Sequence, residues 1–235
     1  MKKLILYLLE KYHGNWDMIY DSISNKEPID WNIVNKVNDK FDFEYMPIVS
    51  DNYPNKLKTI YMPPFSLFYD NSLEWLNKNV LTIYGSPDIV ETKELINIAK
   101  DNVILCISYE HLSEHFYNDV IKNRIKLIVV IDHIDNFKYL KNDNILLISE
   151  YNNSNFNKSI DQTIERLLYA FADKLLVLNN CKINNLKRLI YNFENIEKEI
   201  YYSRNAIDKD NEEIFNNVSA KLANKISQIN FLCKN

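Results

Sequence analysis

Apolar runs alternate with amphipathic stretches over the last two thirds of the chain. Runs of strand length stand at residues 80–84, 103–107, 126–131, 145–148, 175–178 and 200–202. Helical spacing marks residues 88–100, 110–123, 160–171 and 185–195, and a last helix is predicted at 211–229. Strands that alternate with helices in this way are typical of a parallel sheet. We therefore predict an α/β fold, a Rossmann-like, doubly wound and mainly parallel sheet.

Residues 1–45 are predicted to form a small helical N-terminal domain. Residues 2–12 place Leu4, Leu8 and Leu9 on one face at helical spacing, and Gly14 can end that helix. A third helix is predicted over about 30–40. The second helix has an apolar stripe of Trp16, Ile19, Tyr20 and Ile23. Such stripes are more typical of a core than of a binding surface.

A proline-rich connector, residues 46–78, is predicted to join this unit to a Rossmann-like α/β domain at 79–235. Four of the six prolines lie within residues 51–88. The residue before a proline is biased toward extended backbone, so helices are disfavoured here. Residues 65–69 are rich in strand formers and predict a short strand.

The glycine content excludes two classes of nucleotide site. Only Gly14 and Gly85 occur in 235 residues. A phosphate-binding loop or a dinucleotide fingerprint needs several glycines, because the backbone must approach phosphate closely. The net charge of −4 excludes a generally basic nucleic-acid coat but leaves room for a local basic groove.

The cysteines and the hydropathy pattern favour a cytoplasmic protein. Cys106, Cys181 and Cys233 are far apart and form no CxxC pair, so we expect neither a disulfide framework nor a metal cluster. No apolar run approaches the roughly 18 residues of a membrane span. The first residues also lack the pattern of a secretory signal. We expect no cofactor and no membrane contact.

The connector carries a recognisable pattern, Tyr53-Pro54-x-x-Leu57-x-x-Ile60-x-x-Pro63-Pro64-x-x-Leu67-Phe68-Tyr69. This resembles the YPxxLxxIxxPPxxLFYxGN block of the bacterial DNA-processing family, DprA or Smf. Weaker likenesses follow in the family's order at residues 12–17, 147–151 and 166–177. The resemblance implies a Rossmann-like fold and a non-enzymatic protein. It also implies binding of single-stranded DNA, loading of the RecA recombinase in DNA uptake, and a possible homodimer.

The residues at the family's anion pocket depart from its pattern. Where the family has GSR, this chain has Gly85-Ser86-Pro87-Asp88, so a proline replaces the arginine. Ser86 can cap the next helix, with Pro87 in its first position, and Asp88 adds a carboxylate there. A helix start that holds its own carboxylates is a poor phosphate site.

Two more pocket motifs are changed. At the family's SGxAxGID position the chain has Ser108 followed by no glycine, and Arg166 alone remains of RNR, since Ile164 and Glu165 fill the other places. The resemblance assigns DNA contacts to Arg166 above all. The remaining candidate contacts are Gly85, Ser86, Ser108, Lys182, Lys187 and Arg188. No catalytic or metal-binding residue is assigned.

Charged clusters outside these motifs have alternative interpretations. His111-Leu-Ser-Glu114-His115 matches a zinc-peptidase pattern but is more typical of a polar helix start. A second carboxylate group comprises Asp132, Asp135 and Glu150, which could bind a metal or could serve as helix caps and loop charges.

The basic residues lie in two clusters, one of Lys122, Arg124 and Lys126 and one of Lys182, Lys187 and Arg188. Either could line a single-strand track or a solvated face. Three functions therefore remain open. The first is a divergent DprA-like protein that binds single-stranded DNA. The second is a scaffold that keeps the fold but has lost the ligand, and the third is a metal-dependent enzyme.

Overall fold

The structure, a computed structural model, describes residues 1–38, 41–153, 160–179, 183–207 and 212–231. Its α-helices are α1 (Lys2–Lys11), α2 (Trp16–Ser24), α3 (Trp31–Val34), α4 (Asn55–Lys58), α5 (Ile89–Ala99), α6 (Glu114–Lys122), α7 (Ile160–Phe171), α8 (Ile183–Asn195) and α9 (Glu212–Asn216). Among the described residues, none of these helices combines the length and apolar character that crossing a bilayer requires.

The strands are β1 (Glu44–Pro47), β2 (Ser66–Tyr69), β3 (Asn79–Tyr84), β4 (Val103–Ser108), β5 (Leu127–Val130), β6 (Ile145–Ser149), β7 (Lys174–Val177), β8 (Glu199–Ser203) and β9 (Lys221–Ala223). In the described residues they form one sheet in the order β1-β2-β6-β5-β4-β3-β7-β8-β9. The neighbours from β6 to β9 are parallel, whereas β1–β2 and β2–β6 are antiparallel. The predicted α/β, mainly parallel architecture is confirmed.

Both faces of the sheet are buried. Because successive strand residues point to opposite faces, each central strand contributes side chains to both of them. In β3, Val80 and Tyr84 join the core beneath α7 and α8, while Leu81 and Ile83 join the core beneath α5 and α6. Such two-sided burial explains why the central strands read as continuous apolar runs. The connector supplies β2 and the last two residues of β1 to the same sheet.

The proline motif of the connector holds the helical N-terminal unit against the sheet. The Trp16 indole donates to the Pro63 carbonyl at 2.8 Å, and the buried Tyr53 hydroxyl donates to the Pro64 carbonyl at 2.7 Å. The Trp16 ring also packs on Phe65 at 5.3 Å between centroids. The motif therefore contributes, through Pro63 and Phe65, to the docking of α2, and the Tyr53 bond braces the connector itself.

Three predicted elements differ from the structure. The predicted helix at 211–229 is instead α9, then β9, then a short 3-10 turn, because Tyr201 and Ser203 of β8 pair with residues of β9. The predicted helix at 30–40 ends as α3 at Val34. Finally, Tyr20 and Ile23 are exposed, so only part of the α2 stripe lies in the core.

Candidate functional site

The sheet changes its winding direction at β3. From β3 the chain proceeds through β4 and β5 to β6 on one side, then returns to place β7 on the other side. Ligands of open α/β sheets bind beyond the carboxyl ends of the strands at such a switch point. A small pocket is found there, lined by Tyr84, Ser108, Glu110, His111, Ile164, Glu165, Leu168 and Asn185.

Gly85, directly after β3, is required by the neighbouring strand. Its φ is +105°, and a Cβ at this position would lie 2.4 Å from the carbonyl oxygen of Asn179. The Leu178 amide donates to the Tyr84 carbonyl at 2.8 Å, which holds the two segments together. The backbone that a phosphate would have to approach is therefore covered by the end of β7.

The start of α5 is closed by its own carboxylates. The Asp88 side chain accepts from the amides of Val90 and Glu91, both at 2.8 Å, and Glu91 accepts from the Asp88 amide at 3.0 Å. The capping residue is thus Asp88, and the prediction that Ser86 caps a helix beginning at Pro87 is wrong. Two acidic side chains at the positive end of a helix compete with any phosphate there.

Arg166, the leading DNA-contact candidate, lies in a buried ion pair on α7. Its Nε donates to Glu150 at 2.9 Å, its Nη2 pairs with the other Glu150 oxygen, and its Nη1 donates to the Met62 carbonyl at 2.7 Å. The side chains are 13% and 5% exposed. The guanidinium therefore ties β6 and the connector to α7, and it presents little surface to a ligand.

Burial sets the electrostatics of this pair. Desolvation raises the pKa of the Glu150 carboxyl, and the Arg166 charge opposes that rise. Desolvation alone would lower the pKa of Arg166, but the Glu150 carboxylate outweighs it, so the pKa of Arg166 lies above its usual value. Each charge is held in the interior by the other.

Arg188 on α8 repeats the arrangement. Its Nη2 donates to Glu165 at 2.7 Å, and its Nε donates to the second oxygen at 2.5 Å. Glu165 is 4% exposed and Arg188 is 37% exposed. Glu165 lines the pocket, so the pocket contains a carboxylate that is already paired with Arg188.

The other predicted contacts are scattered. Ser108 is buried and lines the pocket, whereas Ser86 is half-buried beside the α5 cap. Lys187 is exposed and lines a separate groove between α8 and α9, together with Glu194 and Glu213. Lys182 lies outside the described residues. The structure therefore does not gather the six described candidates into one site.

The sequence marked Glu150 as a possible metal ligand and Glu165 as the residue that replaces one position of the RNR motif. It did not indicate that these glutamates pair with Arg166 and Arg188. One signal was present for Glu165. It stands among the apolar positions Ile164, Leu167 and Leu168 of α7, where a buried carboxylate needs a partner. The partner itself comes from another helix and has no local signature.

The alternative metal constellations do not assemble. No group of three or more potential metal-ligating side chains comes together within the described parts of the chain. His111 is buried against Tyr84, whereas His115 is exposed and bonds to Ser113 at 3.0 Å. The Asp132 carboxylate accepts a hydrogen bond from the His133 amide at 2.7 Å. These acids and histidines serve as local caps and loop contacts.

The fold matches solved structures along most of its length. DNA processing protein A (DprA) from Streptococcus pneumoniae has a TM-score of 0.65 and 17% sequence identity, covering 98% of this chain and 94% of that protein. The chain has a DprA-like fold. DprA from Helicobacter pylori, which binds single-stranded DNA, has a TM-score of 0.61 and 15% identity over 80% of this chain and 94% of that one.

No protein-family model matches the sequence, and no curated protein matches it either. The resemblance predicted from residues 53–69 is nevertheless confirmed in the DprA-like fold. At this level of identity, the likeness extends to architecture alone. What the chain binds must be argued from its own surface.

Proposed function

We propose that this chain is a DNA-processing protein of the DprA type, which binds single-stranded DNA and assists a RecA-type recombinase in the cytoplasm. The observation that carries the proposal is the DprA-like fold over 98% of the chain and 94% of the S. pneumoniae protein. The H. pylori protein of the same fold binds single-stranded DNA. The role is that of a binding protein rather than an enzyme, acting as a monomer or a homodimer.

At the carboxyl ends of the strands, we expect single-stranded DNA to bind only weakly, through electrostatic attraction. Arg166 must exchange its buried carboxylate for a phosphate before it can contact DNA, and the half-buried Arg188 is already paired with Glu165. Lys187 is exposed but shares its groove with two glutamates. Affinity for single strands then depends on cations elsewhere on the surface, and it falls steeply with salt.

The proposal is tested by fluorescence anisotropy with a labelled oligonucleotide of about 20 nucleotides, longer than a typical single-strand site. Salt is varied over about 20–200 mM, and the slope of log K against log salt gives the number of phosphate contacts. We expect saturable, salt-sensitive binding, and an intact oligonucleotide after incubation. Absence of binding at the lowest salt would contradict the proposal.

The RecA component is tested separately, by the rate at which RecA assembles on single strands with and without the protein. Faster RecA assembly that requires both the protein and its binding to the strand supports a role in assisting RecA. If the protein binds DNA but leaves RecA assembly unchanged, single-strand binding stands and assistance to RecA is lost.

A second candidate function is favoured by the paired arginines. A scaffold that keeps the DprA-like fold but has lost its ligand would close its pocket in this way, with glutamate side chains holding both arginines. Such a protein would bind a partner protein or a second copy of itself, yet ignore oligonucleotides at low salt. The same anisotropy series, with light scattering to measure mass, separates the two candidates.

A further inference from the structure

The opposite edge of the sheet carries an open basic groove. It is lined by Lys78, Ala99, Lys100, Asn102, Val103, Ile104, Asn123, Arg124, Ile125 and Lys126. Four of these ten residues are cations and none is a carboxylate. We name this set of ten residues the amino-end groove, because it follows the amino ends of β3, β4 and β5.

The topology brings these cations together. Lys78 directly precedes β3, Lys100 directly follows α5, and Arg124 and Lys126 lie in the short link between α6 and β5. In a parallel sheet, the amino ends of neighbouring strands and the carboxyl ends of the helices before them meet at one edge. Asn102 and Arg124 have φ of 63° and 55°, so both helix-to-strand links turn sharply.

The cations of the amino-end groove form no ion pair within the described parts of the chain, and Asp101 is the acidic residue beside them in the sequence. Among the described residues, the side chains of Lys78, Lys100 and Arg124 form no hydrogen bond or ion pair. Lys126 is held 5.2 Å above the Trp75 ring, an interaction that leaves its positive charge in place. Asp173, a carboxylate in the loop before β7, is already paired with Lys56 at 3.2 Å.

Helix termini explain part of this charge. The carboxyl end of a helix attracts cations, which accounts for Lys100 after α5 and Arg124 after α6. It does not account for Lys126, which follows both helices and is positioned by Trp75. One cation for each helix end would satisfy the dipoles, whereas the groove collects four.

We propose that the amino-end groove binds the phosphodiester backbone of single-stranded nucleic acid. The inference rests on the proposed function and assigns its contacts to this edge rather than to the carboxyl ends. The groove has a volume of about 570 Å³, and its lining holds four cations and no carboxylate. Its lining contains no aromatic ring on which a base could stack, so recognition is through phosphates and independent of sequence.

The test replaces three groove cations by uncharged polar side chains. The groove variant is Lys78→Gln/Lys100→Gln/Arg124→Gln, and the matched control Lys36→Gln/Lys58→Gln/Lys93→Gln removes the same charge from exposed positions elsewhere. Lys126 is left intact because it packs on Trp75. Circular dichroism and thermal unfolding confirm that both variants keep the fold.

We expect the groove variant to bind the oligonucleotide at least about tenfold more weakly than the wild type, with a salt slope smaller by about 2, since each lost single-strand contact contributes about 0.7. The control should change affinity less than about twofold, as charges beyond the Debye length are screened. The loss should be equal for strands of different base composition.

Three outcomes overturn the inference. Equal losses in both variants would show general attraction by net charge, and single-strand binding itself would stand. An unchanged groove variant would move the contacts to another surface, again without harm to the proposed function. A wild type that ignores oligonucleotides but binds polyglutamate would make the groove a site for acidic proteins, and both proposals would fail.

Discussion

The two edges of one parallel sheet use their cations in opposite ways. At the carboxyl ends, Arg166 and Arg188 are each held by a glutamate that is 95% or more buried. At the amino ends, Lys78, Lys100 and Arg124 stand beside a groove without a carboxylate in its lining. The difference shows that the availability of a positive charge depends on its partners. Counting cations along a sequence does not reveal it.

The comparison also separates architecture from ligand chemistry. The DprA-like fold is present along nearly the whole chain, yet the edge where α/β folds usually bind ligands is closed by internal ion pairs. The open, positive surface lies at the edge that in such folds usually has only a structural role. The experiments below disturb this contrast, beginning with the largest expected effect.

Replacement of Arg166 by alanine should have the largest effect on stability. Glu150 would remain buried without a counter-charge and the Met62 carbonyl would lose its donor, so we expect a loss of about 3–5 kcal/mol in the free energy of unfolding, measured by urea denaturation. The double variant Glu150→Gln/Arg166→Met removes both charges and should lose much less. A loss below about 1 kcal/mol for Arg166→Ala would show that the pair is not buried in solution.

The loss caused by Arg166→Ala should depend on pH. Burial already raises the pKa of Glu150 in the wild type, so the folded state binds this proton more tightly than the unfolded state. Its stabilising contribution is complete below the ordinary pKa of 4.5 and declines as pH rises through the raised value. Without the guanidinium that pKa rises further, so the loss should be clearly smaller at about pH 5 than at about pH 8. A loss that is the same at both values would contradict this.

Glu165→Gln should make the carboxyl-end edge of the sheet more like the amino-end edge in its binding of phosphate. It removes the carboxylate counter-charge of Arg188, and a contact of that guanidinium with one phosphate would add about 0.7 to the salt slope of oligonucleotide binding. Glu194→Gln, an exposed glutamate farther along the same helix as Arg188, provides the control. If both variants change the slope equally, the gain reflects net charge and not the release of Arg188.

The smallest effect is expected for the stability of single groove variants. Lys100→Gln and Arg124→Gln remove exposed cations without a carboxylate partner, so each should change the free energy of unfolding by no more than about 0.5 kcal/mol. The contrast comes from Arg188→Gln measured in the same way, because that variant removes the counter-charge of the buried Glu165 carboxylate. A groove variant that is as destabilised as Arg188→Gln would mean that the groove cations stabilise the fold.

Much of the architecture could be read from the sequence because it depends on local pattern. The apolar runs became strands, and the helices between them begin and end within a few residues of the predicted positions. The predicted helix at 211–229 failed because β9 gains its hydrogen bonds from β8, about twenty residues earlier. Periodicity within one segment carries no information about such a neighbour.

The site was less predictable for the same physical reason. Arg166 and Glu150 are 16 residues apart, and Arg188 and Glu165 are 23 apart, on different elements. The sequence indicated correctly that carboxylates of α5 close its own start, since that contact spans three residues. Contacts between elements, which decide whether an arginine is free, require the fold.

Trp16 and Tyr53 donate hydrogen bonds to the carbonyls of Pro63 and Pro64, so the presence of the proline motif in a sequence indicates a structural role. The motif records how two parts of the chain are joined, and it lies outside the pocket. A sequence search keyed to it would recover proteins assembled in this way whether or not they still hold a nucleic acid. Sorting such proteins by ligand requires a second criterion, the presence or absence of an acidic residue at the position of Glu165.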